Sequence, residues 1–85
     1  MSKSAFTAAH SALVNALAQT RRDMKLQQAE LAAKLGKDQS YISNIERGQR
    51  RVDVVEFYAI ARAMDVDPIA LFSEIVAKFP AAVDI

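Results

Sequence analysis

Apolar residues along this chain return every three or four positions and never alternate strictly over a sustained stretch, so the pattern predicts helices and no strands. Five segments carry that period. The first spans about Ser4 to Asp23, with Phe6, Ala9, Leu13, Ala16 and Leu17 on one face. After the short connection Met24-Lys25-Leu26-Gln27, the second covers about Gln28 to Leu35, where Leu31 and Leu35 lie four apart with Ala32 beside them. Gly36 stops it, because glycine takes the left-handed conformation without steric cost. The third follows Asp38, a good N-cap residue, and runs to about Arg47 before Gly48. Ile42 and Ile45 point inward, and Gln39, Ser40, Ser43, Asn44 and Arg47 occupy the other faces. Asp53 and Glu56 have the spacing of a capping box and open the fourth, whose expected buried stripe is Val54, Phe57, Ile60, Ala61 and Met64. Asp67-Pro68 opens the fifth, with proline at the first helical position. Its stripe is Ile69, Phe72, Ile75, Val76 and Phe79, and Pro80 closes it. The expected architecture is a compact, all-α, five-helix unit, with residues 1–85 forming one domain without internal repeat or linker.

Composition narrows what such a unit does. Eighty-five residues hold one modest core. The absence of cysteine excludes disulfides and thiolate metal sites, and a lone histidine, His10, excludes a structural zinc site. His10 is expected to be exposed or half-buried on the first helix. No nucleophile–base pair and no phosphate-cradling glycine loop are present, so neither an enzyme nor a cofactor is expected. No apolar run approaches the roughly 20 residues needed to span a bilayer. Met1-Ser2-Lys3-Ser4 lacks the apolar stretch of a secretory signal. The expected setting is therefore cytoplasmic, with no membrane partner. The net charge of +1 conceals an asymmetry. Residues 21–51 carry eight basic side chains against four acidic ones, and residues 52–85 carry two against six. A basic middle and an acidic end suit a surface with one side turned to a polyanion.

The segment from Gln28 to Gly48 reads as helix, glycine-containing turn, helix, a unit whose second helix fits the major groove of DNA. Ala32 is small where the two helices would cross, Gly36 opens the turn, and Ile42 and Ile45 anchor the second helix. The blocks Gln28-Ala29-Glu30-Leu31-Ala32, Leu35-Gly36 and Ser40-Tyr41-Ile42-Ser43-Asn44-Ile45-Glu46-Arg47-Gly48 resemble the Xre-type, phage repressor-like helix-turn-helix regulators. Ile60-Ala61-Arg62-Ala63-Met64 and Leu71-Phe72 extend the resemblance over about residues 13–76. Lys25 stands where that family usually has glycine, and Gln27 where it prefers a serine or threonine cap.

The resemblance implies a sequence-specific transcriptional regulator on double-stranded DNA, a repressor or a restriction–modification controller-like protein. Gln39, Ser40, Ser43 and Asn44 would face base edges, since glutamine and asparagine pair bidentately with adenine. Gln28, Lys37, Tyr41 through its hydroxyl, Arg47, Arg50 and Arg51 would meet phosphates, which position the protein while bases specify sequence. Arg21 would pair with Glu46 as scaffolding between the first and third helices. Phe72, Val76, Phe79, Val83 and Ile85 exceed what the core needs and suggest a homodimer surface, with Phe6 and Leu13 of the first helix as a competing one. A two-fold dimer would set its recognition helices about 34 Å apart. The alternative reading is an antitoxin or interaction module whose main ligand is a partner protein.

Overall fold

The computed structural model describes residues 7–83. Five helices occur among them: α1 (Ala8–Asp23), α2 (Gln28–Lys34), α3 (Gln39–Glu46), α4 (Val54–Ala63) and α5 (Pro68–Val76). No strand is present among the described residues, as the periodicity implies. Leu31, Ile42, Ile45, Ile60, Met64 and Ile75 are the large side chains sealed in the core. Ala32 and Ala61 have no exposed surface at all, so a larger side chain at either would have to displace its neighbours.

Four of the helices end in the same way. After each, one residue enters the left-handed region and two backbone N–H groups fold back to satisfy the last carbonyls. Gly36 (φ 69°) donates to Ala33 O at 3.1 Å, and Lys37 donates to Ala32 O at 2.9 Å. Gly48 (φ 76°) with Gln49, Lys25 (φ 62°) with Leu26, and Asp65 (φ 62°) with Val66 repeat the motif. At Lys25 and Asp65 an L side chain bears the left-handed cost of about 1–2 kcal/mol. Lys25→Gly removes it at an exposed position, against the greater chain entropy glycine loses. The expected net gain is about 0.5–1 kcal/mol, which calorimetry reads as a melting temperature several degrees higher. An unchanged or lower temperature would refute this account of the turn.

The helix starts are less uniform. Thr7 Oγ1 accepts from His10 N at 3.0 Å, Asp53 Oδ1 from Glu56 N at 2.7 Å and Asp67 Oδ1 from Ile69 N at 3.0 Å. At α2, Glu30 Oε1 accepts from Gln27 N at 2.7 Å, so the reciprocal acid holds the start where the usual hydroxyl cap is missing. Asp38 occupies the cap position of α3, but its carboxylate bonds none of the first-turn amides. The Tyr41 amide turns instead to the Asp38 backbone carbonyl at 3.0 Å, at the end of the helix that carries Gln39 and Ser40.

Three expectations about burial are corrected. The inward face of α1 is His10, Val14, Leu17 and Arg21 with Ala9 and Ala18, and Leu13 and Ala16 are only partly buried. His10 is therefore buried at 7% exposure, not exposed or half-buried, and its Nε2 lacks a hydrogen-bond partner among the described residues. Burial, then the charge of Arg51, lowers its pKa below the usual 6.5. In α5 the inward positions are Leu71 and Ile75. At about 100° per residue, that choice turns Ile69, Phe72 and Val76 outward. They are 78%, 45% and 46% exposed. Val54, in the first turn of α4, is likewise outside the core at 83%. Phe6 and Ile85 lie outside the described residues.

Candidate nucleic-acid interface

The packing of α2 and α3 fixes which side of α3 is free. Ile42 and Ile45 are 2% and 1% exposed, and their burial leaves Gln39 and Ser40 exposed, with Ser43 and Asn44 half-buried beside them. All four expected base-facing residues thus lie off the core. Lys37, Arg47, Arg50 and Arg51 are exposed as well.

A chain of side chains connects the N-terminal end of α3 to the interior. Arg21 donates through Nε to Glu46 Oε2 at 2.7 Å and through Nη2 to Glu46 Oε1 at 3.1 Å, a two-pronged pair with side chains only 11% and 10% exposed. Its Nη1 donates to Leu26 O at 2.7 Å, which fixes the connection after α1. Gln28 Nε2 donates to Glu46 Oε1 at 2.8 Å, and Gln39 Nε2 donates to Gln28 Oε1 at 3.1 Å. Arg21, Glu46, Gln28 and Gln39 form one relay. Gln39 keeps its carbonyl oxygen and one N–H unused, the pair of groups that reads an adenine edge. Gln28, expected at a phosphate, has one N–H and its oxygen engaged inside the protein and retains a second N–H.

The far end of the helix is organised by charge. Arg47 Nη2 donates to Asn44 Oδ1 and, at 3.3 Å, to Gln49 Oε1, so the guanidinium expected at a phosphate also orients the asparagine. Tyr41 sits half-buried, and its hydroxyl donates to Glu56 Oε2 at 2.9 Å. That proton is committed to a carboxylate and not left for a phosphate. Arg50 Nη2 lies 2.8 Å from the same Glu56 oxygen, and its guanidinium stands 4.8 Å from the centroid of the Tyr41 ring. Lys37 Nζ approaches that ring at 5.4 Å. The basic loop thus folds back onto α3 through the half-buried Tyr41. Burial, then the Glu56 hydrogen bond, raises the Tyr41 pKa. Arg50 first, then the Asp53 amide, holds the Glu56 carboxyl at about 2.

Glu56 is the residue that sequence reasoning missed here, because its spacing from Asp53 explains it fully as a helix cap. That capping role is real: Asp53 N donates to Glu56 Oε1 at 3.0 Å.

The apolar surface lies elsewhere. Leu13, Val54, Phe57, Tyr58, Ile69 and Phe72 line an open groove of about 360 Å³. Phe72 packs edge-on against Phe57 at 5.5 Å and Phe79 at 6.4 Å. Of the residues expected at a dimer surface, Phe72 belongs to this groove, Val76 and Val83 are exposed near the end of the described chain, and Phe79 is half-buried. Leu13, the competing candidate from α1, lines the same groove as Phe72.

Two helices joined by a glycine turn, the second anchored by isoleucines with its polar side outward, define a helix-turn-helix unit. A helix-turn-helix family model matches residues 17–71. The HTH-type transcriptional regulator y4dJ of Sinorhizobium fredii is 39% identical over 54 residues, covering 64% of this chain and 70% of that protein. The solved structure of an XRE-family like protein from Pseudomonas syringae pv. tomato is 41% identical, with a TM-score of 0.79 over 86% of this chain and 89% of that one. The restriction–modification controller protein C.AhdI from Aeromonas hydrophila is 37% identical, with a TM-score of 0.69 over 76% of this chain and 94% of that one. The chain belongs to the Xre-type helix-turn-helix family of DNA-binding transcriptional regulators. Among the described residues, no helix is long and apolar enough to cross a membrane.

Proposed function

We propose that the protein is a sequence-specific regulator of transcription that places α3 in the major groove of double-stranded DNA as a homodimer, and that it acts as a repressor or a restriction–modification controller-like switch. One observation carries the reading. The polar face of α3 is free while Gln39 is held by an internal relay, which presents an amide in a fixed orientation without using its reading groups. Gln39, Ser40, Ser43 and Asn44 address bases. Lys37, Arg47, Arg50 and Arg51 address phosphates on either side, joined by the spare N–H of Gln28. The likeness to C.AhdI supports the controller role.

The homodimer draws support from the apolar surface. Val54, Tyr58, Ile69 and Phe72 are 83%, 55%, 78% and 45% exposed around one groove, a cluster of large apolar side chains that a second copy could cover.

Selection from random-sequence duplexes, followed by titration of the chosen duplex at several salt concentrations, tests the function. Affinity should fall steeply with salt, the logarithm of the binding constant losing about 0.9 per decade of salt for every phosphate neutralised. Sedimentation of the complex should show two copies per duplex. No enrichment of any sequence, or a salt-independent affinity, overturns the DNA reading, and a single copy per duplex overturns the dimer.

A further inference from the structure

Glu56 places a negative charge within the basic loop. Coulomb's law alone makes it unfavourable there, since it cancels part of the charge that would meet a polyanion. Its contacts describe a different role. Glu56 Oε2 accepts from the Tyr41 hydroxyl at 2.9 Å and faces Arg50 Nη2 at 2.8 Å, while Oε1 is anchored by the Asp53 amide at 3.0 Å. Arg50 Nη1 donates to Arg51 O at 2.8 Å. The guanidinium is thus tethered at both terminal nitrogens and laid over the Tyr41 ring at 4.8 Å. Each terminal nitrogen retains one N–H, and Nε retains its own, so three donors remain.

We propose that Glu56 is a positioning residue for the DNA backbone: it holds Arg50 against the Tyr41 ring so that the remaining N–H groups of the guanidinium stand ready for a phosphate. The proposal rests on the DNA reading and goes beyond it, because an acid becomes a contributor to binding a polyanion. A free arginine on an exposed loop must give up its rotamer freedom on meeting a phosphate, and one already fixed at two ends has given up most of it. The ring also shields one face of the guanidinium from water, which directs its edge outward.

Glu56→Gln separates the two views by sign. Glutamine keeps an acceptor for the Asp53 amide at the start of α4, so the cap survives. The negative charge disappears. Screening alone would make the variant bind a pool of mixed-sequence 30-base-pair duplex more tightly. Positioning makes it bind about 2- to 10-fold more weakly, the worth of one long side chain ordered in advance. Arg50→Lys, a surface change that keeps the charge but loses the planar stack and fork, should weaken binding by a similar factor. Combining it with Glu56→Gln should add little further loss. Circular dichroism and the melting temperature establish that each variant is folded. Equal or tighter binding by Glu56→Gln, or fully additive losses in the double variant, overturns the positioning role while the DNA reading stands. Duplex binding by the unsubstituted protein that ignores salt overturns both. Should Glu56→Gln fail to fold, Arg50→Lys alone decides, and unchanged affinity there overturns the proposal.

Discussion

Glu46→Ala is expected to destabilise the fold by about 3 kcal/mol, the lower end of what breaking one side of a buried ion pair costs. Alanine leaves the Arg21 guanidinium buried without its carboxylate, with only the Leu26 carbonyl as a described partner. It also frees Gln28 Nε2. A domain of this size has a total stability of roughly 5–10 kcal/mol, so the loss is a large fraction of it. Urea unfolding followed by circular dichroism measures it. A loss below about 1 kcal/mol would show that the pair is solvated in a way its 11% and 10% exposures deny. The effect reaches the exposed face of α3 as well, because Gln39 is braced by Gln28 and Gln28 by Glu46. Duplex affinity should therefore fall even at a temperature where the variant is still folded. The double change Arg21→Ala plus Glu46→Ala should cost less than the sum of the two, since it leaves no buried charge unpaired.

The second large effect concerns recognition. Gln39→Ala combined with Asn44→Ala removes both outward amides from α3. Each good bidentate contact contributes about 1–3 kcal/mol of discrimination, so affinity for the selected duplex should drop roughly 30-fold or more. Binding to mixed-sequence duplex, which rests on phosphates, should change little. Both side chains are off the core, so the melting temperature should hold. Retained preference for the selected sequence would transfer readout to other residues and sink the role given to α3. Asn44→Ala alone is the subtler case, because it also releases Arg47 from the asparagine carbonyl and changes where that charge rests.

Much of the fold was legible because its punctuation is local. Gly36 and Gly48 sit where the chain enters the left-handed region, and Ile42 and Ile45 identify the anchored side of α3 from spacing alone. Periodicity was less informative where a helix has two neighbouring apolar stripes. Ile69, Phe72 and Val76 compete with Leu71 and Ile75 in α5, and only packing against the rest of the molecule decides between them. His10 shows the same ambiguity in α1, where the face that buries Val14 and Leu17 carries the histidine inward too. That Gln39, Ser40, Ser43 and Asn44 lie off the core followed from the spacing of Ile42 and Ile45. The Arg21–Glu46 pair rested on the likeness alone, since 25 positions separate the partners and no local rule joins them. Tyr41 and Glu56 meet because the loop after α3 brings the start of α4 back beside it. Neither residue's own neighbourhood in the chain reveals that meeting. Gln39 on Gln28 is a product of the same kind of closure, through the turn between α2 and α3.

That turn has a consequence for chemical synthesis. At Gly36 the backbone lies at φ 69°, and nothing approaches within 4 Å of where an added Cβ would stand. An ordinary alanine is opposed there by its own handedness and not by any neighbour. A D-alanine, whose favoured backbone angles are the mirror image, should meet no backbone strain at that φ. By narrowing the freedom of the unfolded chain, it would favour the folded arrangement of the two helices while leaving the side chains of α3 as they are.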